Sequence, residues 1–250
     1  MSGGYIMDNL FNKISTFLNI SLPQEIMNAF DNPIYLKQKN DFLVRLLSFE
    51  EAAEMYSYLK EDVNISEVFP LWTDDNSNYV GVYMFGLLTG RVCFINHEEI
   101  DLSPVYPNVQ TLIQTLLENP ESDWYELPRY YPQPKEHTDK LQLKQDVQAI
   151  EELKNLLKNP ELDEEKRTQY LFSVMALTPY TQLHKIIPLL EDSDMWVQER
   201  AAEILGFHRY IPAREKLNWV KEHGQHNGKM SAELALKRIR MELKNQNIKK

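Results

Sequence analysis

The sequence predicts an α+β unit, an antiparallel sheet with helices to one side, followed by an all-helical tail. Three observations predict it. β-rich runs cluster between residues 68 and 95 and are broken by short Gly, Asp and Asn turns. From about residue 141 onward the apolar residues recur at helical spacing. Charge changes character between the two parts: residues 1–134 carry 7 Lys+Arg against 19 Asp+Glu, a net −12, whereas 135–250 carry 20 against 18, a net +2. The expected boundaries are an α+β domain over 1–127, a Pro/Tyr-rich linker over 128–142 and a helical domain over 143–250.

Along the first domain, Leu10, Ile14, Phe17 and Leu18 share one face of an amphipathic helix. Ser21 and Pro23 open a second helix, which Asn32-Pro33 stops. Residues 41–47 read as a strand. Ser48 and Glu51 form a capping box in which each side chain satisfies the other's free amide, and the helix behind it runs to about Asp62. Val68 to Trp72, Tyr79 to Phe85 and Arg91 to Ile95 read as strands, the last two joined as a hairpin across Gly86 and Gly90. His97 to Pro104 is a connection with room for a short strand, and Asn108 to Glu118 is a helix with Val109, Leu112, Ile113, Leu116 and Leu117 on its apolar side. Four prolines between 119 and 140 exclude a continuous helix there. In the tail, helices are expected over 143–158, 163–177, 180–190, 194–206, 211–222 and 230–244. Helices this short bury their faces by stacking in pairs.

Little in the sequence points to reaction chemistry, and no catalytic residue, metal ligand or cofactor is expected. The single cysteine, Cys93, lies in an apolar strand and reads as a buried thiol in a reducing compartment. His223 and His226 are three apart, but the glycines at 224 and 228 suggest a solvated loop rather than a metal site. Asp74, Asp75, Asn76 and Asn78 resemble a calcium loop in composition yet lack its spaced Gly and distal Glu, so a turn is the expectation. No phosphate-cradling glycine loop occurs. An acidic first domain repels phosphate backbones, so direct nucleic-acid binding is not expected. With no stretch of about 18 apolar residues and no secretory leader, the expectation is a cytoplasmic protein without a membrane partner.

What remains is surface chemistry. Trp72, Tyr79 and Tyr83 lie near Asp74, Asp75, Glu98, Glu99 and Asp101. Strand alternation puts Tyr79, Gly81, Tyr83 and Phe85 on one face and Val80, Val82 and Met84 on the other. Those aromatics either pack beneath the linker or serve as rigid anchors of a protein interface with the carboxylates as selectivity elements. These eight residues are the candidate partner-binding set. Trp196 begins a tail helix, in a core or in a groove.

Two resemblances add to this reading. Leu22-Pro23, Phe69-Pro70, the polar turn Asp74 to Asn78, the hairpin Tyr79 to Ile95, His97-Glu98 and the helix Val109 to Leu117 stand in an order that resembles the SUKH superfamily of Smi/Knr-like domains, over about residues 8–127. That resemblance implies an α+β fold with no catalytic residue. It also implies the role of a bacterial immunity protein, one that neutralises a toxin, often a nuclease or deaminase, by direct binding. Asp192 to Gly206, with paired Asp, Val197, the double Ala201-Ala202 and a closing Leu205-Gly206, resembles the second helix of a HEAT-like repeat. Gln198 stands where that family often has Arg, which puts an intra-repeat pairing with Asp in doubt. The expected partner is therefore a basic toxin domain. A scaffold or regulatory adaptor using a groove of the helical tail is the alternative. A HEAT-like DNA glycosylase would want a basic groove with interleaved aromatics. Lys237, Arg238, Arg240, Lys244, Lys249 and Lys250 read instead as complements to a helix C-terminus.

Overall fold

Short-range signals place most of the elements. Ser48 N–H donates to Glu51 Oε2 at 2.8 Å and Glu51 N–H to Ser48 Oγ at 3.3 Å, the reciprocal cap expected at this helix start. The computed structural model describes residues 2–39, 41–62, 66–96, 101–135 and 139–248. They form two compact units, residues 1–130 and 131–250. This division falls where the charge changes, because residues 131–134 carry no charged side chain.

The first unit contains helices α1 (Ser2–Leu18), α2 (Gln24–Ala29), α3 (Pro33–Gln38), α4 (Phe49–Asp62) and α5 (Val109–Glu118) and strands β1 (Arg45–Leu46), β2 (Val68–Thr73), β3 (Tyr79–Tyr83), β4 (Val92–Ile95) and β5 (Pro104–Tyr106). The strands lie in the order β1-β2-β3-β4-β5, and every neighbouring pair is antiparallel. The hairpin between β3 and β4 turns through Gly86 and Gly90, both at positive φ, where a side chain would be strained. Pro70 is tolerated in β2 because the two-residue β1 pairs only with Trp72 and Thr73 and leaves that stretch of the edge open. The main core joins Ile14, Ile26, Ala52, Leu112 and Leu116 of the helices, and Phe30 just past the end of α2, to Phe69, Trp72, Val80, Val82 and Phe94 of the sheet.

One local expectation is extended here and one is corrected. Asn32-Pro33 starts a helix as well as ending one. Asn32 Oδ1 accepts from Ile34 N–H at 3.0 Å and Tyr35 N–H at 3.1 Å, and Pro33 occupies the first turn, where it has no bond to lose. The strand expected over 41–47 is only Arg45–Leu46, and the connection after 97 ends in β5.

The Pro/Tyr-rich segment expected over 128–142 is divided between the two units. Its start belongs to the first unit, where Tyr106 Oη donates to Pro128 O at 2.9 Å and Tyr130 N–H to Val105 O at 3.1 Å. Residues 131–133 belong to the second unit. There Tyr131 Oη lies 2.8 and 2.9 Å from the two carboxylate oxygens of the fully buried Asp146. Gln133 Nε2 donates to Asp146 Oδ2 at 2.6 Å and Gln142 Nε2 to Oδ1 at 2.8 Å. Asp139 then caps α6 (Lys140–Leu156), which starts before the expected residue 143.

The second unit continues through α7 (Glu164–Leu177), α8 (Met195–Phe207), α9 (Arg214–His223) and α10 (His226–Ile248). The helix expected over 180–190 is two 3₁₀ segments, Tyr180–Lys185 and Ile187–Glu191, the second carrying Pro188 in its first turn, where it interrupts the α pattern. Asp192 takes its guanidinium partner from α7: Arg167 Nη2 lies 2.7 Å from Asp192 Oδ2. Gln198, buried on α8, does different work. Its Nε2 donates to Leu190 O at 2.9 Å and its Oε1 accepts from Gln225 N–H at 2.7 Å, joining the second 3₁₀ segment to the start of α10. That explains the glycines at 224 and 228, of which Gly224 lies in the expected break between α9 and α10 and Gly228 does not. Gly228 lies inside α10, and a Cβ on either residue would run into the Gln198 side chain. Close packing continues at Gly206, where an added Cβ would sit 2.7 Å from Ala235 Cβ and 2.8 Å from Ala235 Cα.

Candidate functional site

The first unit gathers carboxylates where α4 and the β2–β3 turn meet. Asp74 builds that turn: Oδ1 accepts from Asn76 N–H at 2.8 Å and Asn78 N–H at 3.1 Å, and Oδ2 from Asn78 Nδ2 at 2.7 Å. Asp75 and Ser77 adopt positive φ inside it. Arg45 on β1 is clamped between Asp75 and Glu51. Its Nη2 lies 2.7 Å from Asp75 Oδ1 and 2.9 Å from Glu51 Oε1. The Arg45 guanidinium, followed by the Ser48 backbone, holds the Glu51 carboxyl down to about 2, and the same guanidinium lowers Asp75. Lys13, 2.9 Å from Glu50, lowers that carboxyl as well. Groups held this low are fully ionised at neutral pH and act as fixed charge. Half-buried Tyr79 stands among them. Its hydroxyl is pushed up first by burial and then by Asp74, Asp75, Glu51 and Glu54.

Helix α4 extends this patch with residues that the candidate set lacks. Glu50, Glu54, Tyr58 and Glu61 recur at i, i+4, i+8 and i+11 and share its exposed side, with Tyr58 60% exposed. The same periodicity that marks Ala52, Tyr56 and Leu59 as core leaves these outside, so the signal was present in the sequence.

The structure brings Asp74, Asp75 and Tyr79 together and corrects other members of the candidate set. Trp72 is fully buried, stacked on Phe30 at 5.5 Å with its indole N–H donating to Tyr35 Oη at 2.9 Å. Tyr83 is buried and its hydroxyl donates to Leu102 O at 2.7 Å. Neither is a surface anchor. Alternation along β3 separates two faces, but both are covered, since Val68, Cys93 and Ile95 are buried on the side of Tyr83. Asp101 shapes its own loop by accepting from Ser103 N–H at 2.8 Å. Glu98 and Glu99 lie outside the described residues. Cys93 is fully buried, and burial pushes its thiol up, away from reactivity.

The second unit has a cleft of about 300 Å³ lined by Lys135, Tyr180, Phe207, His208, Arg209 and Glu242, among others. Arg209 closes the end of α8 at positive φ, and its Nη1 lies 3.1 Å from Glu242 Oε2. Lys135 Nζ stands 5.0 Å over the Tyr180 ring. Burial lowers His208 to about 4, and its Nε2 is enclosed with no hydrogen-bond partner. The unfolded imidazole takes up a proton near pH 6.5 while the folded one resists until about 4. Stability from this group is therefore complete above pH 6.5, declines as pH falls from 6.5 toward 4, and levels off below. After discounting for its partial exposure, the expected loss is about 2 kcal/mol. Urea midpoints measured from pH 7.5 to 4 will show this loss in the native chain and a shallower one in His208→Gln.

Among the described residues no group of three His, Cys, Asp or Glu side chains is placed to hold a metal ion, and no helix is long and apolar enough to cross a membrane. Compared with protein-family models, with curated proteins and with solved structures, the chain matches none.

Proposed function

We propose that this is a non-catalytic binding protein that presents the acidic surface of its first unit to a basic protein partner, in the manner of an immunity protein covering the phosphate-gripping face of a nuclease-type toxin. The observation that carries the reading is the concentration of charge: 19 carboxylates against 7 cations in residues 1–130, with Glu50, Glu54 and Glu61 aligned beside the exposed Tyr58 on α4. A protein that grips nucleic acid must be cationic where it does so, and an anionic surface fits over that region and accelerates encounter. The ionised state of Glu51 and Asp75 supports fixed electrostatic recognition over proton transfer. The SUKH-like order of motifs supports the toxin-directed form of the reading, and the HEAT-like reading of the helical unit belongs to the same proposal. The adaptor reading rests on the second unit alone.

Capture of partners from the source cell, followed by association kinetics, tests this. Association is expected to slow steeply with rising salt, and Glu50→Lys/Glu54→Lys/Glu61→Lys to slow it roughly ten-fold or more with little change in dissociation. Salt-indifferent binding, or capture that yields no basic toxin-like protein, would sink the proposal.

A further inference from the structure

Helix α10 carries two apolar faces, and only one of them is used. Ala232, Ala235, Leu236 and Ile239 are buried within the second unit. On the opposite side Met230, Leu234 and Met241 are 59%, 53% and 64% exposed. At about 100° per residue these three project within about 40° of one another, a ridge roughly 16 Å long. A solvent face would ordinarily be polar from end to end. The ridge has the length and spacing with which one helix lies along another.

The charges beside it are cationic. Lys237, Arg238 and Lys244 are exposed along its flanks. Both carboxylates of α10 are already neutralised from within, Glu233 by Lys237 at 3.5 Å and Glu242 by Arg209 at 3.1 Å. Among the described residues Arg238 and Lys244 have no acidic partner. A second copy of α10 fits less well here: antiparallel pairing about the midpoint of the ridge would set Lys237 against Leu234 and leave Arg238 only Glu233, which is already bridged to Lys237. Methionine adapts its shape to a partner more readily than a branched side chain does.

We infer that the outer face of α10 is a docking site for an amphipathic helix of another protein, one whose apolar stripe is bordered by Asp and Glu. This surface selects the charge opposite to that selected by the acidic first unit, and it stands independently of that reading.

Two designed helical peptides of equal apolar content, one with Glu beside its Leu stripe and one with Lys, are titrated onto the full chain and followed by fluorescence anisotropy. The Glu-bordered peptide is expected to bind, and Met230→Ser/Leu234→Ser/Met241→Ser to weaken it roughly ten-fold or more while the thermal midpoint holds. Arg238→Glu is expected to weaken it further, and any binding of the Lys-bordered peptide, drawn to the acidic unit, is expected to survive the triple substitution. The inference is overturned if the Glu-bordered peptide fails to bind or ignores the triple substitution. It is equally overturned if the ridge serves a second copy, seen as a dimer that the triple substitution dissolves, or an anionic vesicle surface whose binding the triple substitution abolishes.

Discussion

Gly206→Val is expected to destabilise the helical unit by more than about 3 kcal/mol, with Gly206→Ala giving a smaller loss of the same sign. In an exposed helix Gly→Ala is stabilising by about 1 kcal/mol, because alanine loses less backbone freedom. Here the sign reverses. The new Cβ would lie 2.7 Å from Ala235 Cβ and 2.8 Å from Ala235 Cα, so the obstacle includes backbone and no rotamer change relieves it. Helix α8 would have to move off α10, opening the seam that Ala201, Ala202, Ala232 and Ala235 close. Ala235→Gly in the Gly206→Ala background is expected to restore part of the loss, since it removes the nearer of the two clashing atoms. Urea unfolding followed by circular dichroism reads both. An unchanged midpoint in Gly206→Val would show that the helices do not approach this closely.

Asp146→Ala is expected to cost roughly 4 kcal/mol. The carboxylate is fully buried and is the shared acceptor for Tyr131 Oη, Gln133 Nε2 and Gln142 Nε2. Removing it takes the shared acceptor from a buried cluster in which Gln142 Nε2 retains only Tyr131 Oη at 3.2 Å, at about 1–3 kcal/mol for each donor left short before relaxation. Asp146→Asn is a milder change in volume but points an N–H₂ group at one of those donors, so it too destabilises. The readout that separates this local role from general softening is limited proteolysis under native conditions. Cleavage after Tyr130 is expected to speed up first, because the Asp146 cluster is what fastens Tyr131 and Gln133 to α6. Unchanged cleavage there in Asp146→Ala would remove the carboxylate from that role.

The elements legible in the sequence are those set by short-range chemistry. The capping box of Ser48 and Glu51, the apolar stripe Val109, Leu112, Ile113 and Leu116, and the glycine-bounded hairpin all depend on residues a few positions apart. What was illegible depended on what lies across the fold. Asn32-Pro33 is equally good punctuation for a stop and a start, and only the Asn32 side chain turned toward Ile34 and Tyr35 distinguishes them. Alternation in β3 assigns Tyr83 to a face without saying whether that face is covered. Asp146 reads as one more polar position on an amphipathic helix, since nothing local announces that Tyr131 and Gln133 return to it. The acidic patch was half legible: Asp74, Asp75 and Tyr79 adjoin in sequence, whereas Glu51 and Glu54 join them only because Arg45 ties α4 to the β2–β3 turn.

Gln198 bears on how the two parts of the chain respond to their surroundings. A carboxamide has no proton to gain near neutrality and no counterion to exchange, so its bonds to Leu190 and Gln225 are indifferent to acid and to brine. An arginine–carboxylate pair in its place would have weakened in both. The Gln198 link at the start of α10 therefore keeps its bonds in media that screen or neutralise carboxylates, whereas the Arg209–Glu242 pair farther along the same helix loosens with them.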